Sequence, residues 1–161
     1  MKKSAKAEFH TVRGYQLLDQ DKSLTPSMED YLEMIYRHSK TEGFMRINTL
    51  AELLHVKASS ATKMVQKLGE LNLIDYERYG IIVLTDSGKS VGCYLLKRHL
   101  TVEKFLKIIG IDNNILLETE LIEHNISKDT LRKISAMVSF FEENPEVLAA
   151  YKEYLKECYK K

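Results

Sequence analysis

Apolar residues recur every three or four positions along most of this chain, which is the spacing of one face of an α-helix. The first such segment begins at Thr25-Pro26, where a hydroxyl cap precedes a proline at the first helical position, and it runs to about Ser39. Two prolines and seven glycines in 161 residues also favour a helix-rich chain. The buried face of this first helix is predicted to consist of Met28, Tyr31, Leu32, Ile35 and Tyr36.

Residues 47–72 predict two short helices joined by a tight turn, which is the pattern of a helix-turn-helix. Asn48 is the expected cap of a helix over 50–54, and a turn at 55–57 leads to a helix over about 58–71. In this second helix the residues at core spacing are Ala61, Met64, Val65 and Leu68. The opposite side carries Ser59, Ser60, Lys63, Gln66 and Lys67, with Thr62 at its edge.

This outward side has no carboxylate before Glu70, although the whole chain is nearly neutral. Hydroxyls and amides can bond to base edges and lysines to phosphates, so the helix is a candidate recognition helix. A merely solvated face is the plain alternative.

A β-hairpin is predicted directly after this helix, over 74–84, with Arg78 and Tyr79 at its tip. A hairpin in this place forms the wing of a winged helix-turn-helix, which we expect over 24–85. The tip is placed to touch the DNA backbone. The candidate DNA-contacting residues are Lys57, Ser59, Ser60, Thr62, Lys63, Gln66, Lys67, Arg78 and Tyr79.

The remaining residues predict only helices. A long helix over about 86–109 ends at Gly110, Ser127 caps another helix, and Asn144-Pro145 starts the last. These helices have more apolar faces than one small domain needs, so we expect a homodimer. The predicted fold is therefore mainly α: an N-terminal winged helix-turn-helix with a two-stranded β-wing, followed by an all-helical module.

The charge balance and the two cysteines restrict the possible functions only a little. There are 24 Lys and Arg against 23 Asp and Glu, so a basic surface for nucleic acid must be local. The two cysteines are far apart, which excludes a cysteine zinc site and a disulfide framework and favours a reducing cytoplasm. No apolar run is long enough to cross a membrane, so no membrane partner is expected.

Acidic and imidazole side chains supply the candidate chemistry. Glu120, Glu123 and His124 lie within one helical turn, and two carboxylates that close together need a cation or full exposure to water. A solvated acidic turn is the plain alternative. Asp30 and Glu33 share a face of the first helix, where Glu33 could simply pair with Arg37. His99 lies on an apolar stripe, where a histidine is usually a core residue.

Four segments in order resemble the manganese transport regulator branch of the diphtheria toxin repressor family of metal-dependent repressors, over about 25–143. They are Thr25 to Glu33, Ser59 to Leu68, Arg98-His99 and Glu120 to His124. The resemblance extends to no third, SH3-like domain, and residues 1–23 fall outside it. The metal ligands it implies are Asp30, Glu33, His99, Glu120, Glu123 and His124, with Glu103 as an ancillary candidate.

The iron-responsive branch has Met where Asp30 stands and Cys where Glu120 stands, so the comparison favours manganese. It also places an ancillary histidine where this chain has Leu116. Four carboxylates and two imidazoles form a hard ligand set that suits Mn(II), and their charge is enough for two divalent ions per subunit. Fe(II) is the alternative metal. We expect Mn(II) to clamp the DNA-binding half of each subunit to its dimerising half. The homodimer then binds a palindromic double-stranded operator and represses manganese-uptake genes.

The expected division is an N-terminal extension over 1–23, the DNA-binding domain over 24–85, a linker helix over 86–110 and a metal-binding and dimerisation domain over 111–161. Two other classes stay open. A metal-independent winged-helix regulator would share 24–85 but leave the acidic residues unexplained. A metallohydrolase could use the same clustered ligands, but it would leave the DNA-binding half without a role, so an enzyme is not expected.

Overall fold

The computed structural model describes residues 24–159, and it leaves the side chain of Arg78 undescribed. The N-terminal extension, whose sequence is compatible with a flexible basic arm or with a short packed helix, lies outside the described residues. The elements of the first half are α1 (Pro26–Glu42), β1 (Met45–Arg46), α2 (Ile47–Leu53), α3 (Ala58–Glu70), β2 (Ile74–Tyr76), a 3₁₀ turn (Arg78–Gly80) and β3 (Ile81–Leu84). The second half consists of α4 (Asp86–Ile108), α5 (Ile115–Glu123), α6 (Lys128–Glu143) and α7 (Pro145–Cys158).

The first helix begins where its sequence predicts. The hydroxyl of Thr25 accepts a hydrogen bond from the backbone N–H of Met28 at 3.3 Å, and Pro26 occupies the first turn. The helix continues three residues past the predicted end, to Glu42, because Gly43 supplies a left-handed C-terminal residue with φ of +78°. Its predicted apolar face packs into the core of the N-terminal half.

The helix-turn-helix differs from its prediction at the start of α2. Asn48 does not cap this helix, which begins at Ile47 with Arg46 in the capping position. The reason is that Met45 and Arg46 form a short strand, β1, that pairs with β3. The sheet therefore has three strands in the order β1-β3-β2 rather than two. The predicted hairpin itself is confirmed, with Asp75 opposite Val83 in an antiparallel register.

The long helix α4 joins the two halves of the structure. Thr85 caps it by accepting a hydrogen bond from the N–H of Gly88 at 3.0 Å. It crosses α1 closely at Gly92, where a Cβ atom would stand 2.6 Å from Cβ of Tyr36. Leu95 is buried against the N-terminal core, so α4 is anchored to the DNA-binding half along its first turns.

The last helices bury little apolar surface. Val138 is the one buried residue of α6, and none is buried in α7. Large apolar side chains on α5 and α6 are exposed instead, among them Leu116, Leu117, Leu121 and Phe140. Within residues 24–159, none of the helices has the length and hydropathy needed to cross a bilayer.

Candidate metal centre

Carboxylates and imidazoles from three helices converge into two adjacent groups. We call Asp30, Glu120 and His124 the outer cluster, and Glu33, His99 and Glu123 the inner cluster. In each cluster one ligand-type atom per residue lies within 4.8 Å of the others. The six residues implied by the sequence resemblance are thus brought together without exception, although in two sets rather than around one point.

The outer cluster joins α1 to the end of α5. Nε2 of His124 lies 2.9 Å from Oδ1 of Asp30 and 3.5 Å from Oε2 of Glu120. Glu120 and His124 are four residues apart, so the helix presents both on the same side. Glu120 is the most exposed member, which leaves this cluster accessible from solvent.

The inner cluster is buried throughout. Nδ1 of His99 lies 3.2 Å from Oε1 of Glu123 and 3.9 Å from Oε1 of Glu33. Glu33 also accepts a hydrogen bond from Nε of Arg37 at 2.8 Å, so the plain pairing considered for it exists alongside the cluster. The histidine on the apolar stripe is therefore surrounded by carboxylates rather than by core side chains alone.

Glu120, a member of the outer cluster, also faces the inner cluster. Its Oε1 is 3.7 Å from Nδ1 of His99, and its Oε2 faces His124. This one carboxylate therefore directs an oxygen toward each of the two clusters.

Within the described part of the chain, one carboxylate oxygen of the inner cluster has no hydrogen-bond donor. Oε2 of Glu123 is buried and accepts no hydrogen bond within the described residues, and its side chain is 1% exposed. The nearest cationic atom, Nε of Arg98, is 3.6 Å away, beyond hydrogen-bond distance. A buried carboxylate oxygen left unpaired is costly, and a divalent cation would satisfy it. The donor set therefore fits a hard metal ion.

Electrostatics hold His124 as a cation when it faces these carboxylates. Hydrogen bonding to Asp30, then to Glu120 and Glu29, raises the pKa of His124 to about 11. Hydrogen bonding to Glu123 likewise raises the pKa of His99. Burial raises the pKa of Glu33 despite its bond with Arg37. Without a metal, protons on the imidazoles thus supply part of the positive charge that the cluster needs.

Glu29 and Arg98 lie beside the clusters and within the segments that carry the resemblance, but neither was predicted as a site residue. Oε2 of Glu29 accepts hydrogen bonds from Nδ1 of His124 at 2.7 Å and from Nη2 of Arg98 at 2.9 Å. Burial alone would raise the pKa of Glu29, but these two bonds outweigh it and lower the pKa. A signal was present for Arg98, because it falls between Leu95 and Val102 at the spacing of the buried face of α4.

The ancillary candidate, Glu103, lies in neither cluster. Its carboxylate forms an ion pair with Lys107 one turn further along α4. That bond is the largest cause that lowers the pKa of Glu103. It lies on α4 one turn beyond His99, so it is a neighbour of the inner cluster and not a member of it.

The residues expected to contact DNA lie on α3 and the wing. Ser59, Lys63, Gln66 and Lys67 are exposed, as are Lys57 and Ser60, whereas Thr62 is half-buried and donates a hydrogen bond to the carbonyl of Ala58. Tyr79 is 91% exposed and has a left-handed φ of +65°, which is uncommon for a residue other than glycine. The side chain of Arg78 lies outside the described part of the chain.

A winged helix-turn-helix whose first helix shares carboxylate and imidazole clusters with a C-terminal helical module defines a metal-responsive DNA-binding protein. Comparison with known families agrees. Residues 23–82 match the N-terminal DNA binding domain of the iron dependent repressor family, and residues 85–150 match its metal binding and dimerisation domain. The chain belongs to this family. It is a metal-dependent transcriptional repressor and not an enzyme.

Curated relatives cover most of the chain. An HTH-type transcriptional regulator MntR of Oceanobacillus iheyensis is 43% identical over 134 residues, covering 83% of this chain and 91% of the relative. The protein of the same name from Listeria innocua is 45% identical over 130 residues, or 80% and 92% of the two chains.

Solved structures share the fold at lower identity. The manganese regulator SloR has a TM-score of 0.64 and 27% identity, with 73% of this chain and 55% of that chain covered. A manganese-dependent transcriptional repressor in complex with manganese has a TM-score of 0.60 and 29% identity, with 70% and 53% covered. The chain therefore spans about half the length of these solved relatives.

Proposed function

We propose that this protein is an Mn(II)-responsive repressor that holds two ions per subunit, one in the outer and one in the inner cluster. The observation that carries the proposal is the position of Glu120, with one oxygen toward His99 and the other toward His124. The six ligand residues offer only carboxylates and imidazoles, a set that suits Mn(II) and Fe(II) better than metals that seek thiolate. The names of the relatives favour manganese over iron.

Binding of metal at these residues would couple the two halves of the protein. Asp30 and Glu33 belong to α1, in the DNA-binding half, whereas Glu120, Glu123 and His124 belong to α5 and its end. Without a metal ion the protonated imidazoles balance only part of the carboxylate charge, and the remaining repulsion favours separation of the halves. A cation favours the closed arrangement, and its differential affinity for that arrangement is what makes it a corepressor.

The closed arrangement fixes two recognition helices in a homodimer. We assign DNA contacts to α3 and to the wing, with the winged helix-turn-helix spanning 24–85, the linker helix 86–110 and the dimerising part 111–161. A two-fold dimer then reads palindromic half-sites about 34–36 Å apart. The operators are those of manganese-uptake genes, and the site of action is the cytoplasm, where the DNA lies.

Fluorescence anisotropy tests this proposal. The DNA is the upstream region of a manganese transporter gene, titrated with protein in chelator, in Mn(II), in anaerobic Fe(II) and in Zn(II) at one fixed salt concentration. We expect tight binding with Mn(II) and weak binding with chelator. Equal binding with chelator would contradict the corepressor role, and equal binding with Fe(II) would contradict selectivity for manganese.

A matched pair of variants isolates the clusters in the same assay. Glu123→Ala removes the buried carboxylate of the inner cluster, so binding to the operator should no longer respond to Mn(II). Glu143→Ala removes an exposed carboxylate at the end of α6 and should leave the response unchanged. Operator binding that stays Mn(II)-dependent in Glu123→Ala would show that the metal acts elsewhere.

A further inference from the structure

One buried ion pair crosses the boundary between the two halves of the protein beside the outer cluster. Glu29 lies on α1, next to Asp30, and Arg98 lies on α4, next to His99. Nη2 of Arg98 donates to Oε2 of Glu29 at 2.9 Å, and the arginine side chain is only 7% exposed. A buried pair of this kind contributes little to stability by itself, because desolvation of the two charges offsets their attraction. Its position therefore suggests a role in the site.

The same carboxylate oxygen also holds the imidazole of His124. Nδ1 of His124 donates to Oε2 of Glu29 at 2.7 Å, a length typical of a charge-assisted hydrogen bond. Because Glu29 holds the proton on Nδ1, the nitrogen that would give up its proton to a metal is Nε2, which faces Asp30 and Glu120. A histidine that binds metal needs this division between its two nitrogens.

The guanidinium of Arg98 competes with Glu29 for Nδ1 of His124. Nη2 of Arg98 lies 3.2 Å from Nδ1 of His124, and it could donate to that nitrogen if the nitrogen carried no proton. The proton would then have to stay on Nε2, where it would compete with a metal. The shorter bond to Glu29 decides against this state, while the bond from Arg98 keeps Glu29 in place.

We propose that Glu29, held by Arg98, is a positioning residue that orients His124 and thereby sets the metal affinity of the outer cluster. This inference rests on the proposed metal-binding function. A role in folding would affect both clusters. Glu29 instead contacts His124 of the outer cluster, and within residues 24–159 no hydrogen bond or ion pair joins it to Glu33, His99 or Glu123. Its removal should therefore weaken one of two binding steps and spare the other.

The test is a titration of purified full-length protein with Mn(II), followed by the electron paramagnetic resonance signal of free Mn(II). Glu29→Gln keeps the shape of the side chain but replaces the accepting oxygen pair with an amide. We expect its affinity to fall about 10–100-fold in one step and to stay near that of the wild type in the other. Asp30→Asn and Glu33→Gln identify the steps, because they remove ligands of the outer and inner clusters respectively.

Two controls separate orientation from folding. Glu42→Gln changes an exposed carboxylate at the end of the same helix and should leave both steps unchanged. In Glu29→Gln, operator binding should recover fully when Mn(II) is raised about 10–100-fold, in proportion to the lost affinity. A misfolded variant would not recover in this way.

The outcomes are distinct. Three results for Glu29→Gln would overturn its positioning role while leaving the proposed function intact. The affinity could fall in the binding step that Glu33→Gln also removes, it could fall equally in both steps, or it could stay unchanged in both. A wild-type protein that takes up no Mn(II) would instead overturn the proposed function, and this inference with it.

Discussion

At the scale of single residues, His124 makes metal binding a competition with a proton. Because its pKa is about 11, the His124 ring of the metal-free folded protein is positively charged, with a proton on each nitrogen, throughout the neutral range. A metal at Nε2 must displace the proton on that nitrogen, so binding is linked to proton release. We expect about one proton to be released at the outer cluster, and the apparent Mn(II) affinity to rise about tenfold per pH unit between pH 6.5 and 8.

Isothermal titration calorimetry in buffers of different ionisation enthalpy counts these protons. Glu33→Gln, which retains the outer cluster, gives the value for that cluster without the contribution of His99, whose pKa is also raised. An observed heat that is the same in every buffer would mean that His124 is neutral before metal binds, contrary to its position among three carboxylates.

At the scale of elements, the crossing of α1 and α4 sets the distances within the inner cluster, since Glu33 and His99 lie on these two helices. Gly92 allows the close approach, because an added Cβ would meet Cβ and Cγ of Tyr36 at 2.6 and 2.8 Å. Gly92→Ala should therefore lower the free energy of unfolding by about 1–3 kcal/mol, despite the better helix propensity of alanine. Urea denaturation of the metal-free protein measures this change.

Gly69→Ala is the matched control, because the nearest atom to its added Cβ is the carbonyl oxygen of Ile74 at an ordinary 3.7 Å. There the propensity gain of up to about 1 kcal/mol should appear as a small stabilisation. If both variants were equally stable, the two helices would have enough freedom to separate, and the close packing at Gly92 would not fix their distance.

The elements also show how far the sequence could predict the structure. Helices with a hydroxyl cap and an apolar stripe, such as those beginning after Thr25 and Ser127, were predicted well because both signals are local. The two-residue strand β1 was missed, since it exists only through pairing with β3. The same pairing displaced the start of α2 from its predicted cap at Asn48.

The site residues were likewise predictable where the signal was local, and not where it depended on distant segments. Spacing alone could place Glu120 and His124 on one side of a helix, but their approach to α1 depends on packing between distant segments. The resemblance to a family supplied that information for the six proposed ligands. It did not supply Glu29, whose place in the first turn of α1 looks like an ordinary favourable interaction with the helix dipole.

At the scale of the whole molecule, we expect the apolar side chains exposed on α5 to form the dimer interface. Leu117 and Leu121 are four residues apart on one face and are 57% and 59% exposed. Exposed patches of this kind mark interfaces, and this half of the chain matches a dimerisation domain. Replacing both leucines with arginine would remove this apolar surface and bring like charges together if it is the interface. Sedimentation velocity should then show a monomer.

Loss of the dimer should also weaken binding to the operator, because a monomer contacts only one half-site. In a dimer the second half-site is bound at a high effective concentration, so a monomer should lose about 100-fold or more in operator affinity even with saturating Mn(II). Leu71→Arg, which adds one arginine at an exposed leucine after α3, should leave sedimentation unchanged. A dimer that survives the double substitution would move the interface to the exposed faces of α6 and α7, and the recognition helices would then be spaced by those helices instead.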